Sequence, residues 1–94
     1  MKCISVYTDS FEQFSDMFEQ VIEIDLQEND EREVEGVTVS DSGEVPSHYL
    51  ERMAAKPEVV VMKDKEKGIT ILQHGKVFEI LIPSEADSLE APSV

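Results

Sequence analysis

Apolar positions are most concentrated over residues 57–83, PEVVVMKDKEKGITILQHGKVFEILIP, where turn-forming residues separate three short apolar runs. This pattern predicts a three-stranded antiparallel meander. His74-Gly75 separates the second and third runs by two residues, the length of a tight hairpin loop, and Gly accepts the positive φ that such a loop requires. Pairing Gln73 with Lys76 then sets Ile71 opposite Phe78 and Ile69 opposite Ile80. The charged stretch 63–68, ending in Gly68, predicts the first turn, with Met62 opposite Ile69 and Val60 opposite Ile71. Side chains alternate between faces, so one face collects Val60, Met62, Ile69, Ile71, Phe78 and Ile80, and a slip of one residue would invert it.

The opposite face carries Val59, Val61, Leu72, Val77 and Leu81, interrupted by Thr70 and Glu79. An antiparallel sheet exposed on one side is polar there, so an apolar second face predicts a cover. These five residues form the candidate interface, to be closed by the second helix of the chain or by another copy of it.

Upstream, residues 2–8 alternate as a strand. Asp9 is placed to cap a helix over residues 10–24, with Glu12 closing a capping box. Phe11, Phe14, Met17, Phe18 and Val21 recur at helical spacing opposite Glu12, Asp16 and Glu19, a stripe expected to cover the inner face of the meander. Residues 25–33, DLQENDERE, read as a loop. Residues 34–40 read as a second strand, with Gly36 marking a bulge and Asp41-Ser42-Gly43 ending it. Pro46 opens a short second helix carrying Val45, Tyr49, Leu50, Met53 and Ala54, stopped at Lys56-Pro57.

The expected order is β-α-β-α-β-β-β. It implies an α+β domain over residues 1–83, a two-layer or three-layer sandwich built on a mixed sheet with a C-terminal antiparallel meander. If the first helix links parallel strands, that crossover is right-handed. Residues 84–94, rich in serine and acid around Leu89, predict a flexible acidic tail.

Composition changes this picture mainly through charge. With 40% apolar residues the chain has material for one core, and its net charge of −13 argues against direct binding to nucleic acid or to an anionic membrane surface. The charge is uneven: residues 1–54 hold 14 acids and 3 bases, net −11, while residues 55–94 hold 7 acids and 5 bases, net −2. Such a field keeps a protein soluble and could also engage a basic partner, as an acidic decoy for a nucleic-acid-binding surface. No apolar run approaches the length of a membrane span, and no secretory signal is apparent. Cys3 is the lone cysteine, so an intramolecular disulfide is excluded and a cytoplasmic setting is expected.

Candidate chemistry is sparse. Asp25, Glu28, Asp30, Glu31 and Glu33 are hard oxygen ligands, but a calcium loop begun at Asp25 needs Gly sixth and Glu twelfth, where this chain has Asp30 and Gly36. Cys3, His48 and His74 are a possible thiol and its bases, without the spacing of a zinc site. The glycines form no phosphate cradle, and Lys63, Lys65 and Lys67 are interrupted by Asp64 and Glu66. No cofactor, metal ligand set or catalytic residue is assigned. The expectation is a small non-enzymatic interaction or regulatory module that forms a homo-oligomer through the meander. The acidic decoy and a small enzyme using Cys3 or the histidines are the alternatives.

Overall fold

Residue by residue, the chain in the computed structural model runs β1 (Lys2–Val6), α1 (Phe11–Glu23), β2 (Glu31–Val34), β3 (Val37–Glu44), α2 (Tyr49–Ala54), β4 (Val60–Asp64), β5 (Ile69–His74) and β6 (Val77–Ile82). The structure describes residues 1–24, 26, 27, 29–46 and 48–83, and the tail expected over 84–94 lies outside them. The six strands form one sheet in the order β2-β3-β1-β6-β5-β4, with every neighbouring pair antiparallel.

The α+β class therefore holds, while the mixed sheet and the five-strand order are corrected. Residues 31–44 form two strands, not a loop followed by one strand. Glu35-Gly36 is a two-residue hairpin loop in which both residues have positive φ, 52° and 81°, so Val34 faces Val37. Positive φ at both positions is the pattern of a type I′ turn, whose twist matches that of paired strands. After α1 the chain does return in the direction of β1, but as β2, one strand further out. The hairpin then brings β3 back antiparallel into the place beside β1.

Asp41-Ser42-Gly43 lies inside β3 rather than ending it. Cys3 pairs with Gly43 and Ile4 with Asp41, leaving Ser42 as the extra residue of a β-bulge. The bulge is held by Asp41, which is buried: its Oδ1 accepts the Gly43 N–H at 2.8 Å and its Oδ2 lies 3.2 Å from Lys2 Nζ. A buried carboxylate is tolerable only with such partners.

The meander is present with both registers shifted by two. His74 pairs with Val77, so the loop is Gly75-Lys76; only Gly75 has positive φ, the pattern of a type II′ turn. Met62 pairs with Ile71 and Asp64 with Ile69, which shortens the first loop to residues 65–68. Asp64 organises that loop, its Oδ1 accepting the Glu66 and Lys67 N–H groups at 3.1 and 3.3 Å. A shift of two preserves side-chain parity, so the residues assigned to each face stay there.

Helix α1 starts one residue later than its Asp9 cap would place it. Ser10 is the cap, its hydroxyl accepting the Gln13 N–H at 3.2 Å, and Thr8 Oγ1 links the two ends by accepting the Ser10 N–H and donating to Gln13 Oε1. The capping box is thus Ser10 and Gln13 with a threonine hydroxyl between them. Phe14, Met17 and Val21 of α1 are buried against Ile4, Val6, Val39, Ile69, Ile71, Phe78 and Ile80. Phe14 stacks on Phe78 with ring centroids 4.3 Å apart and planes within 8°. On the other face Cys3, Leu72 and Leu81 are covered by Val45, Tyr49, Leu50 and Met53 from α2 and the segment before it. Ala54, the last residue of that expected stripe, is exposed.

Candidate functional site

The candidate interface divides once the chain is folded. Leu72 and Leu81 are buried beneath α2, and Val59 packs on the same cluster. Val77 is partly buried at the start of β6, whereas Val61 is 38% exposed on β4. The unsatisfied surface of the meander is therefore the strand β4 itself. It is the outermost strand on its side of the sheet, so one row of its backbone N–H and C=O groups has no neighbour in the sheet. Val60, 52% exposed on the α1 face, joins Val61 there.

Helix α1 does not extend over β4. Between them lies an open groove of about 400 Å³, floored by Met62 and Ile71, walled by Phe11, Phe14 and Phe18, and rimmed by polar groups that include Glu19 and Lys63. Phe11, at the first turn of the helix, is 53% exposed, and its ring stands 6.2 Å from that of Phe78. The groove and the β4 edge together form an apolar margin along one side of the molecule.

Charge separates this margin from the opposite edge. Residues 55–68 carry four lysines against three acids, net +1, while residues 30–35 carry four acids against Arg32, net −3. At β2 the side chains of Glu31, Arg32 and Glu33 are all exposed. Charged side chains on a short edge strand discourage pairing with another chain, and β4 has less of that protection.

A second cluster, on the α2 face, joins residues that are far apart in sequence. Glu79 Oε1 accepts the Tyr49 hydroxyl at 2.7 Å and lies 2.8 Å from His74 Nε2, while Oε2 accepts the Cys3 thiol at 3.5 Å. Cys3 and His74 are thus brought to one carboxylate, and His48 stands apart, exposed ahead of α2. Burial, then the charge of Glu79 and its hydrogen bond, push the Cys3 thiol from 9.0 up to about 12. Burial and the same carboxylate raise the Tyr49 phenol above its ordinary value. A nucleophilic cysteine needs the reverse, a thiolate favoured by a neighbouring cation or base. Here Glu79 separates imidazole and thiol on its two oxygens, and the network ties Tyr49 of α2 to β6.

Among the described residues no group of three or more acidic, histidine or cysteine side chains is arranged to hold a metal ion. Asp25 and Glu28 of the acidic segment lie outside the described residues. Asp30 accepts the Gln27 N–H at 3.1 Å, and Asn29 and Asp30 extend the pairing with Asp41 through backbone hydrogen bonds. Among the described residues no helix is long and apolar enough to cross a membrane. Glu79 is the residue of the α2-face cluster that the sequence pattern marks least, its only signal being that it interrupts an apolar face. Comparison of the chain with protein-family models, with curated proteins and with solved structures finds no match.

Proposed function

We propose that the protein is a small non-enzymatic interaction module that self-associates through the β4 edge of its sheet. The observation that carries this reading is the pairing of an open edge strand with two exposed valines, Val60 and Val61, on opposite faces of that strand. Adding a strand to such an edge satisfies backbone hydrogen bonds and buries apolar side chains in one step. Charge supports a second copy as the partner. Two molecules of net charge −13 repel one another over most of their surfaces, and residues 55–68, which include β4 and carry net +1, have none of that acidic excess. A single cysteine, with no second one in the chain to form a disulfide, fits a reducing compartment such as the cytoplasm.

Sedimentation equilibrium across a concentration series tests the reading. A reversible dimer is expected in the micromolar range, and a species that stays monomeric at high micromolar concentration removes the claim.

A further inference from the structure

We infer that the second copy adds its β4 antiparallel to β4 with Val61 on the two-fold axis, so that Val60 of each copy closes the other's groove between α1 and β4. This inference rests on the proposed self-association and specifies its geometry. In a symmetric antiparallel pair whose axis is perpendicular to the sheet, residues that face each other lie on the same side, so the axis runs midway between one residue of the strand and its own copy, the residue said to be on the axis. Three choices keep most of β4 paired: Val60, Val61 or Met62 on the axis.

With Val61 on the axis, Val61 meets its own copy on the α2 side, and Val60 meets Met62 of the partner subunit on the α1 side. The pairs on both sides of the new seam are then apolar at its centre. With Met62 on the axis, Val60 would instead face the partner's Asp64 and Val61 the partner's Lys63. With Val60 on the axis, Met62 would face the partner's Glu58. With Val60 on the axis the two valines would also meet apolar residues, Val60 its own copy and Val61 the partner's Val59, but only the Val61 register gives Val60, Val61 and Met62 apolar partners together.

The same register fills the groove. Met62 lies on its floor, and the residue placed opposite Met62, one strand spacing outward, is Val60 of the partner subunit. Edge pairing of a five-residue strand alone falls short of the roughly 1,200 Å² that a specific interface buries. Closing two symmetric grooves, each with a half-exposed Phe11 along its wall, adds apolar area at the seam. The dimer is closed, because both β4 edges are used and the acidic β2 edges remain outermost.

The test combines cross-linking with sedimentation on the full chain. Val61→Cys under mild oxidation is expected to give a disulfide-linked dimer, since directly opposed residues of paired strands lie within disulfide reach, while the wild type, whose only thiol is buried, gives none. Val60→Lys is expected to weaken association at least tenfold, with the circular dichroism spectrum unchanged because Val60 is half exposed in the monomer. Dimerisation of the wild type with no cross-linking of Val61→Cys, or with Val60→Lys associating normally, overturns the register and leaves self-association standing. A wild type that remains monomeric overturns both, and an open-ended series of oligomers overturns the closed two-fold arrangement.

Discussion

The two faces of the sheet are closed by different chemistry. On one, a thirteen-residue helix lays Phe14, Met17 and Val21 on a continuous apolar surface, and an aromatic stack joins helix to sheet. On the other, a six-residue helix with no fully buried residue covers three buried side chains and is joined to the sheet by the Tyr49–Glu79 hydrogen bond. A long amphipathic helix can be held by area alone. A short one buries too little for that, and the hydrogen-bonded network around Glu79 supplements it. The difference predicts that α1 is lost only with the fold, whereas α2 can be loosened by changing one polar group.

The largest expected effect follows from the apolar face. Phe14→Ala removes one ring of the stack and leaves a cavity between α1 and β6, at a cost of roughly 3–5 kcal/mol, much of the stability of a domain this size. Urea unfolding measures it. A loss below about 1 kcal/mol would mean that α1 is not the principal cover. Leu72→Glu sharpens the contrast from the α2 side: Leu72 has no exposed surface in the monomer, so an unpaired carboxylate there is expected to unfold the domain.

The second effect is a loss of stability in alkali. The thiol of Cys3 is an acid whose folded pKa, about 12, lies above its ordinary 9.0. The proton is held more tightly in the fold, so this contribution is complete below pH 9 and is lost as pH rises towards 12, by up to about 1.4 kcal/mol per pH unit for one such proton. Tyr49 shifts in the same direction and adds to the loss above its own ordinary value. Urea midpoints taken from pH 8 to pH 11 should fall, and Cys3→Ala should flatten the part that begins near pH 9. A flat profile in the wild type would show that the network does not hold these protons.

Smaller again is Tyr49→Phe, which removes the hydroxyl that joins α2 to Glu79 and nothing else. About 1 kcal/mol is expected, because Glu79 keeps His74 and Cys3 as partners. Amide exchange locates the effect: exchange should quicken in α2 and not in α1. Equal changes in both helices would contradict the separate closing of the two faces.

How far the sequence carried this contrast depended on the kind of signal. Faces were legible, because a period of two survives an even slip: both meander registers moved by two residues, yet Ile71, Phe78 and Ile80 kept one side and Leu72 and Leu81 the other. Strand β2 was not legible, since Glu31, Arg32 and Glu33 have no apolar alternation and Glu-Gly is an uncommon type I′ pair. The acidic loop reading absorbed it, and the sheet was expected to be mixed for that reason alone. The apolar outer face pointed to a cover, but a short stripe of Val45, Tyr49, Leu50 and Met53 does not encode which side it packs on. The Glu79 network joins positions up to 76 residues apart, and no local pattern predicts such a meeting.

The smallest change touches neither face and tests the missed hairpin. Glu35 holds a positive φ of 52° without a glycine's freedom, beside Gly36 at 81°. Asparagine adopts that conformation more readily, and Asn-Gly is the favoured type I′ pair, so Glu35→Asn is expected to stabilise the domain by no more than about 0.5 kcal/mol. The substitution also removes a long contact, 3.4 Å, from Gln20 of α1, which opposes the gain. Gly36→Ala separates the two contributions. A Cβ at that position would meet no atom within 4 Å, so its cost of roughly 1–2 kcal/mol is conformational alone. If Gly36→Ala destabilises as expected and Glu35→Asn destabilises as well, the link to α1 outweighs the backbone preference. The hairpin would then be anchored by the same helix that closes the apolar face.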